Sequence, residues 1–145
     1  MRRLKNFIIL PNLPLNSNLP LCALLEAGEM LLATHYLQAQ RYRALLRAEF
    51  LEAFRRVDVF VCPSLPFAAT RIGETSVEIE PGRPEDMLSA IMQFTGVASL
   101  TGLPSLNVPC GFDPDGLPIG MQLIGRPFAE AALLRAGHAF QQATD

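Results

Sequence analysis

Apolar residues recur along this chain with a period that changes from one segment to the next. Over residues 24–56 the spacing is helical: Leu46, Phe50, Ala53, Phe54 and Val57 stand at i, i+4, i+7, i+8 and i+11, one stripe of a helix. Gly28 predicts the end of a first helix and Thr34 the N-cap of the next. Residues 57–63, VDVFVCP, are a short apolar run closed by proline, which predicts a strand buried on both faces. Residues 64–84 mix polarity with turn formers and predict a long surface loop.

Pro84 followed by Glu85 and Asp86 predicts a helix start, with proline in the first turn and acids near the positive end of the helix dipole. Met87, Ile91, Phe94 and Ala98 would form the buried side of that helix, and Gly102 with Pro104 would close it. The period then drops to two. Leu106, Val108, Cys110 and Phe112 alternate with Ser105, Asn107, Pro109 and Gly111, and Ile119, Met121 and Leu123 alternate again. Between them Asp113-Pro114-Asp115-Gly116 fits a type I turn, so the two runs predict paired strands. Pro109 lacks a ladder donor and predicts an edge or a bulge beside it. Ala132, Leu133, Ala136 and Phe140 give a terminal helix its apolar face. The order helix, strand, helix, strand, strand, helix predicts an α/β fold, a mixed sheet covered by helices.

The composition allows such a core and narrows the partners. The chain has 145 residues, half of them hydrophobic and 18% charged, enough apolar material for a globular domain. A net charge of −2 and scattered arginines, with Arg41, Arg43, Arg47, Arg55 and Arg56 at helical spacing, predict a solvated helix face. They do not predict a nucleic-acid footprint. The three cysteines, Cys22, Cys62 and Cys110, are odd in number, include no C-x-x-C pair, and predict a reducing, cytoplasmic setting. MRRLKNFIIL starts basic and then turns apolar, but Pro11 and Pro14 interrupt it before a signal-peptide core is complete. No run approaches the roughly 18 apolar residues of a membrane span. Residues 1–23 read as an irregular arm and 24–145 as the folded part.

The residues carry little visible catalytic chemistry. A phosphate loop needs a lysine after its glycines, and the one lysine, Lys5, stands in the arm; no Gly-x-Gly-x-x-Gly is present either. His35 and His138 have no ligand-like partners at helical spacing, so no metal is expected. Ser99 in GVASLTG is spaced Gly-x-x-Ser-x-x-Gly, which is not a nucleophile elbow. A pairing of Cys62 or Cys110 with His138 has nothing to position it. Read by themselves, these residues describe a scaffold.

Two stretches, HYLQAQRYRALLRAEFLEAFRRVDVFVCPSLPFAA and FTGVASLTGLPSLNVPCGFDPDGLPIGMQLIGRPFAEAALLRAGHAF, resemble the C-terminal part of the amidase signature enzymes, from about Leu24 to Asp145. That family includes bacterial amidases and the A subunit of the glutamyl-tRNA amidotransferase. The resemblance implies an α/β fold with a large mixed sheet between helical layers and hydrolysis of carboxylic amides without a metal or organic cofactor. It also implies a Ser–cis-Ser–Lys mechanism. The lysine deprotonates a bridging serine, which activates the nucleophilic serine; an acyl-enzyme forms on that serine and water releases it. The family's serine-rich signature and catalytic lysine lie upstream of the matched part, so no catalytic residue carries over to this chain. What carries over is pocket wall: the loop at 64–67 and the segment 94–99 resemble regions that border the acyl pocket, making Phe67, Thr95, Val97 and Ser99 the candidates. The expected function is that of an amidase-family fragment inactive by itself. The alternative is a non-catalytic partner that completes a split amidase or an amidotransferase-like complex. The expected partners are a small amide substrate, a complementary N-terminal amidase half or a second copy of the chain, with neither nucleic acid nor membrane.

Overall fold

The computed structural model describes residues 25–144, which divide into two compact units, one ending at Gln40 and the other running from Arg41. The arm expected at 1–23, with Lys5 and Cys22, lies outside the described residues. Residues 25–29 are helical, and α1 follows at Ala33–Ala53. Its first intrahelical bond runs from the Tyr36 amide to the Leu32 carbonyl at 3.1 Å. Leu32 is therefore the cap, and Thr34, expected there, lies inside the helix. The remaining elements are β1 (Val59–Pro63), β2 (Ser76–Glu80), β3 (Arg83–Asp86), α2 (Met87–Thr101), β4 (Ser105–Phe112), β5 (Pro118–Gly125) and α3 (Glu130–Thr144).

The expected order of helices and strands is present, with one addition. The segment expected as a long loop contains an antiparallel ribbon of β2 and β3. Pro84 is paired opposite Glu78 in β3, so it precedes the helix instead of opening it. The cap of α2 is Asp86, whose Oδ2 accepts from the Ser89 amide at 2.9 Å and the Ser89 hydroxyl at 3.1 Å. At the other end Gly102 takes φ 65° and returns its N–H to the Ala98 carbonyl at 2.9 Å, a left-handed cap that glycine adopts without strain.

Every strand pair among the described residues is antiparallel. β5 is the shared strand of a three-stranded sheet in the order β1, β5, β4. β4 and β5 form the predicted hairpin. Asp113 Oδ1 accepts from the Asp115 and Leu117 amides at 2.9 and 2.7 Å, which holds the Asp113–Gly116 turn. The register shifts between Pro109 and Gly111, the irregularity expected beside a proline in a strand.

The sheet has two differently covered faces. On one, Phe60 and Cys62 of β1 stand opposite Ile124 and Gln122 of β5. Phe54, Leu103 and Ile124 form the buried core there, with Phe50, Phe60, Cys62 and Val97 packed around it. The Phe60 ring meets Phe54 and Phe50 edge to face, with centroids 4.8 and 5.4 Å apart. The helical stripe read from the sequence is the source of Phe50 and Phe54. On the other face α3 packs on β4 and β5, with Leu133 buried over Gly125 and Gly137 against Leu106 and Val108.

Two expectations are corrected. β1 is not buried on both faces: Val61 is 59% exposed, and no described strand pairs with the outer edge of β1. Its apolar sequence suits a central strand, but the described residues cover it on only one side. Arg43 and Arg47 are not merely a solvated face. The Arg43 Nε donates to the Leu100 carbonyl at 2.6 Å and the Arg47 guanidinium donates to the Thr101 carbonyl. Both cations thus sit on the last carbonyls of α2, where unpaired acceptors and the negative end of the helix dipole favour them.

Phe54→Ala is expected to destabilise the chain by about 3–5 kcal/mol, the cost of emptying a buried aromatic site. Phe128→Ala, at a side chain 95% exposed, is expected to stay within about 0.5 kcal/mol of the parent. Urea unfolding of both variants measures the contrast.

Candidate functional site

An open cleft of about 540 Å³ lies where the chain leaves β1. Ser64 continues the β1–β5 ladder for one residue, its amide donating to the Gly120 carbonyl at 2.9 Å. The chain then turns through residues 64–69, beside the bulged part of β4 at Pro109 and the start of β5 at Pro118 and Ile119. Leu65, Pro66, Phe67, Pro109 and Ile119 make the lining mostly apolar. Prolines in the turn and at the strand ends fix backbone angles and remove donors that would otherwise demand partners.

Two polar side chains stand in this lining. The Ser64 hydroxyl donates to the Asn107 side-chain carbonyl. Gly120 allows that pair to form: a Cβ there would lie 2.7 Å from Ser64 Oγ, 3.1 Å from Ser64 Cβ and 3.3 Å from Asn107 Nδ2. Asn107, Pro109, Gly120 and Ser64 share a face because Asn107 stands opposite Gln122 and Pro109 opposite Gly120 in the β4–β5 register. One turn of the alternation back along β1, Cys62 Sγ contacts Gln122 Oε1 at 3.6 Å, and burial pushes the Cys62 thiol above its ordinary range.

Of the four pocket residues expected from sequence, Phe67 lines the cleft. Thr95, Val97 and Ser99 lie on α2 and are not brought to it. The Thr95 hydroxyl donates to the Ile91 carbonyl at 2.8 Å and the Ser99 hydroxyl to the Thr95 carbonyl at 3.4 Å, both within their own helix. Val97 packs on the Phe54 cluster. The lining also includes Asn107, Ile119 and Gly120, which the sequence did not single out. The period-two pattern placed Asn107 and Pro109 on one face of β4, but which face borders an opening depends on the path of residues 64–69.

The cleft holds neither an acidic nor a basic side chain. The described residues include no lysine, and no group of three or more His, Cys, Asp or Glu is gathered as a metal site. Such a lining can bind and orient an uncharged group. It offers no base to activate the Ser64 hydroxyl, whose hydrogen is committed to Asn107.

Gly120→Ala is expected to displace Ser64 from Asn107 and cost about 1–3 kcal/mol, the usual range for inserting a methyl group into a filled space. Calorimetric unfolding reads it. At pH 8 iodoacetamide is expected to modify exposed Cys110 well before Cys62, and peptide mapping checks the order.

Comparison with known proteins places these elements in a larger frame. Residues 19–134 match the family model for amidase. An amidase of Pseudomonas putida is 46% identical over 121 residues, which is 83% of this chain and 26% of that protein. A subunit of the glutamyl-tRNA(Gln) amidotransferase of Myxococcus xanthus (strain DK1622) is 43% identical over 113 residues, 77% of this chain and 22% of that one. A solved structure, described as a vestigial protein complex revealing the evolutionary origins of an s-triazine catabolic enzyme, superposes with a TM-score of 0.74. It is 33% identical and covers 81% of this chain, which spans 26% of that one. The chain therefore spans about a quarter of the length of the proteins it matches. With four-fifths of its length inside the family match, the chain belongs to the amidase family.

Proposed function

We propose that this chain supplies a substrate-bordering wall of an amide-hydrolysing domain whose two serines and lysine come from outside these 145 residues. The observation that carries the reading is the contrast between 46% identity to an amidase and coverage of only 26% of it. The cleft supports it, because its lining can hold an acyl group but contains no proton-transfer group. The reaction is hydrolysis: an amide and water give a carboxylic acid and ammonia or an amine, through an ester to the nucleophilic serine.

On this reading the chain acts with a complementary amidase half. The surface suits such a partner. Antiparallel alternation, anchored by the Ser64 bond to Gly120 and the Gly125 bond to Pro104 (each 2.9 Å), turns the backbone groups of Phe60 and Cys62 toward β5. Those of Val59 and Val61 therefore face outward, an open template for another strand. Tyr42 and Leu45 on α1 and Leu88 and Met92 on α2 are each more than half exposed, so apolar surface remains to be covered. The β4 edge is less suited, because Pro109 and the bulge interrupt it. Similarity to one component of a glutamyl-tRNA(Gln) amidotransferase and to a chain from a vestigial complex is in keeping with assembly from parts. No helix among the described residues is long and apolar enough to cross a membrane. The free thiols of Cys62 and Cys110 suit the reducing cytoplasm we assign.

The test uses the purified chain with and without a co-expressed polypeptide carrying the part of the Pseudomonas putida amidase that this chain does not cover. Ammonia release from simple amides is expected only from the pair, and a serine-directed inhibitor is expected to abolish it. Inhibitor-sensitive turnover by the chain alone, or a stable pair with no turnover, would overturn the reading.

A further inference from the structure

We infer that the cleft beside β1 and β5 selects an uncharged, apolar acyl group through its apolar walls, and that Asn107 orients the bound amide by donating from Nδ2 to its carbonyl oxygen. This deepens the reading above and rests on it. About 540 Å³ falls within the 300–1,000 Å³ typical of small-molecule sites. The walls supply the faces of Pro66, Phe67 and Pro109 and the aliphatic chains of Leu65 and Ile119. These surfaces bind flat or branched apolar groups through area removed from water. No lining side chain carries a charge. An amino-acid ammonium or carboxylate brought against these walls would find no counter-charge among the lining side chains. The lining therefore favours an apolar acyl group, which gains contact area, over an amide such as glutamine, whose two charges gain no partner.

The one directional element is the Ser64–Asn107 pair. Because Asn107 Oδ1 accepts the Ser64 hydroxyl, the side-chain amide is held with Nδ2 on its other branch. Among the described residues no acceptor is paired with the Nδ2 hydrogens, and Nδ2 lies beside the bare Cα of Gly120. An exposed donor at the edge of an apolar cleft is a hydrogen-bond handle for a carbonyl oxygen, and Ser64 orients it. Asn107 is thus a binding residue and Ser64 a positioning one.

Nuclear magnetic resonance of the 15N-labelled chain tests this with three probes: benzamide, benzoate and L-glutamine. Benzamide is expected to shift the Asn107 side-chain amide and the Phe67 and Ile119 backbone amides saturably, and at least tenfold more tightly than benzoate or L-glutamine. Asn107→Leu keeps the bulk and removes the donor. It is expected to weaken benzamide about threefold to tenfold, the range one hydrogen bond supports, while leaving toluene binding unchanged. A dispersed spectrum of the variant establishes that it is folded. Ser64→Ala, which frees the Asn107 amide to rotate, is expected to weaken benzamide by less than Asn107→Leu does. Equal shifts from L-glutamine, no saturable benzamide shift, or an unchanged benzamide affinity in the folded Asn107→Leu variant would overturn the inference. Saturable benzamide binding to the chain, beside a co-expressed pair that releases no ammonia, would keep the cleft assignment and remove the hydrolytic reading. Turnover by the pair with no Asn107 response would do the reverse.

Discussion

The structure hangs on β5. Among the described residues it is the strand that pairs on both edges, to β1 through the Phe60–Ile124 and Cys62–Gln122 positions and to β4 through Leu106–Leu123 and Val108–Met121. Its last four residues, Gln122–Gly125, are all buried. Alternation sends Ile124 into the Phe54 cluster and Leu123 to the opposite face, toward α3. A one-residue slip would exchange these faces and lift Leu133 from its seat over Gly125, so burial on both sides fixes the register. The same register brings Gly120 beneath Ser64 and opposite Pro109, which is where the cleft opens. Fold and site are consequences of one ladder.

Much of this was legible in residue spacing. The period-two runs gave β4 and β5, the Asp-Pro-Asp-Gly turn between them and the irregularity at Pro109, because each is a local matter of alternation and backbone angles. The 3.6-residue stripe gave Phe50 and Phe54 their place in the core. What spacing concealed was relational. The β2–β3 ribbon lies in a segment rich in turn formers, and its pairing of Val77 with Glu85 has no strong apolar alternation to announce it. Arg43 and Arg47 looked like ordinary surface cations because their partners are main-chain carbonyls more than fifty residues away. The edge position of β1 was hidden because VDVFVCP has the composition of a strand covered on both sides.

The candidate site was half legible for a similar reason. Phe67 follows a short apolar strand that ends in proline, so a place beside an opening was readable. Thr95 and Ser99 bear hydroxyl groups that satisfy themselves on their own helix, a local solution that sequence position does not reveal. Asn107 depends on Gly120 standing thirteen residues downstream with no side chain to block the Ser64 contact. An apolar strand on an uncovered edge and a cleft without a base are two aspects of one condition. Among the described residues, β1 keeps one unpaired edge and the cleft presents no acidic or basic side chain.

Hydrogen–deuterium exchange resolved at single residues along β1 tests this account most directly. The amides of Phe60, Cys62 and Ser64, turned toward β5, are predicted to exchange slowly, while those of Val59 and Val61 exchange fast in the chain alone. The complementary amidase segment is predicted to slow Val59 and Val61 and leave their neighbours unchanged. Equal protection of Val61 and Cys62 in the chain alone, or no slowing at Val59 and Val61 in a stable complex, would contradict it.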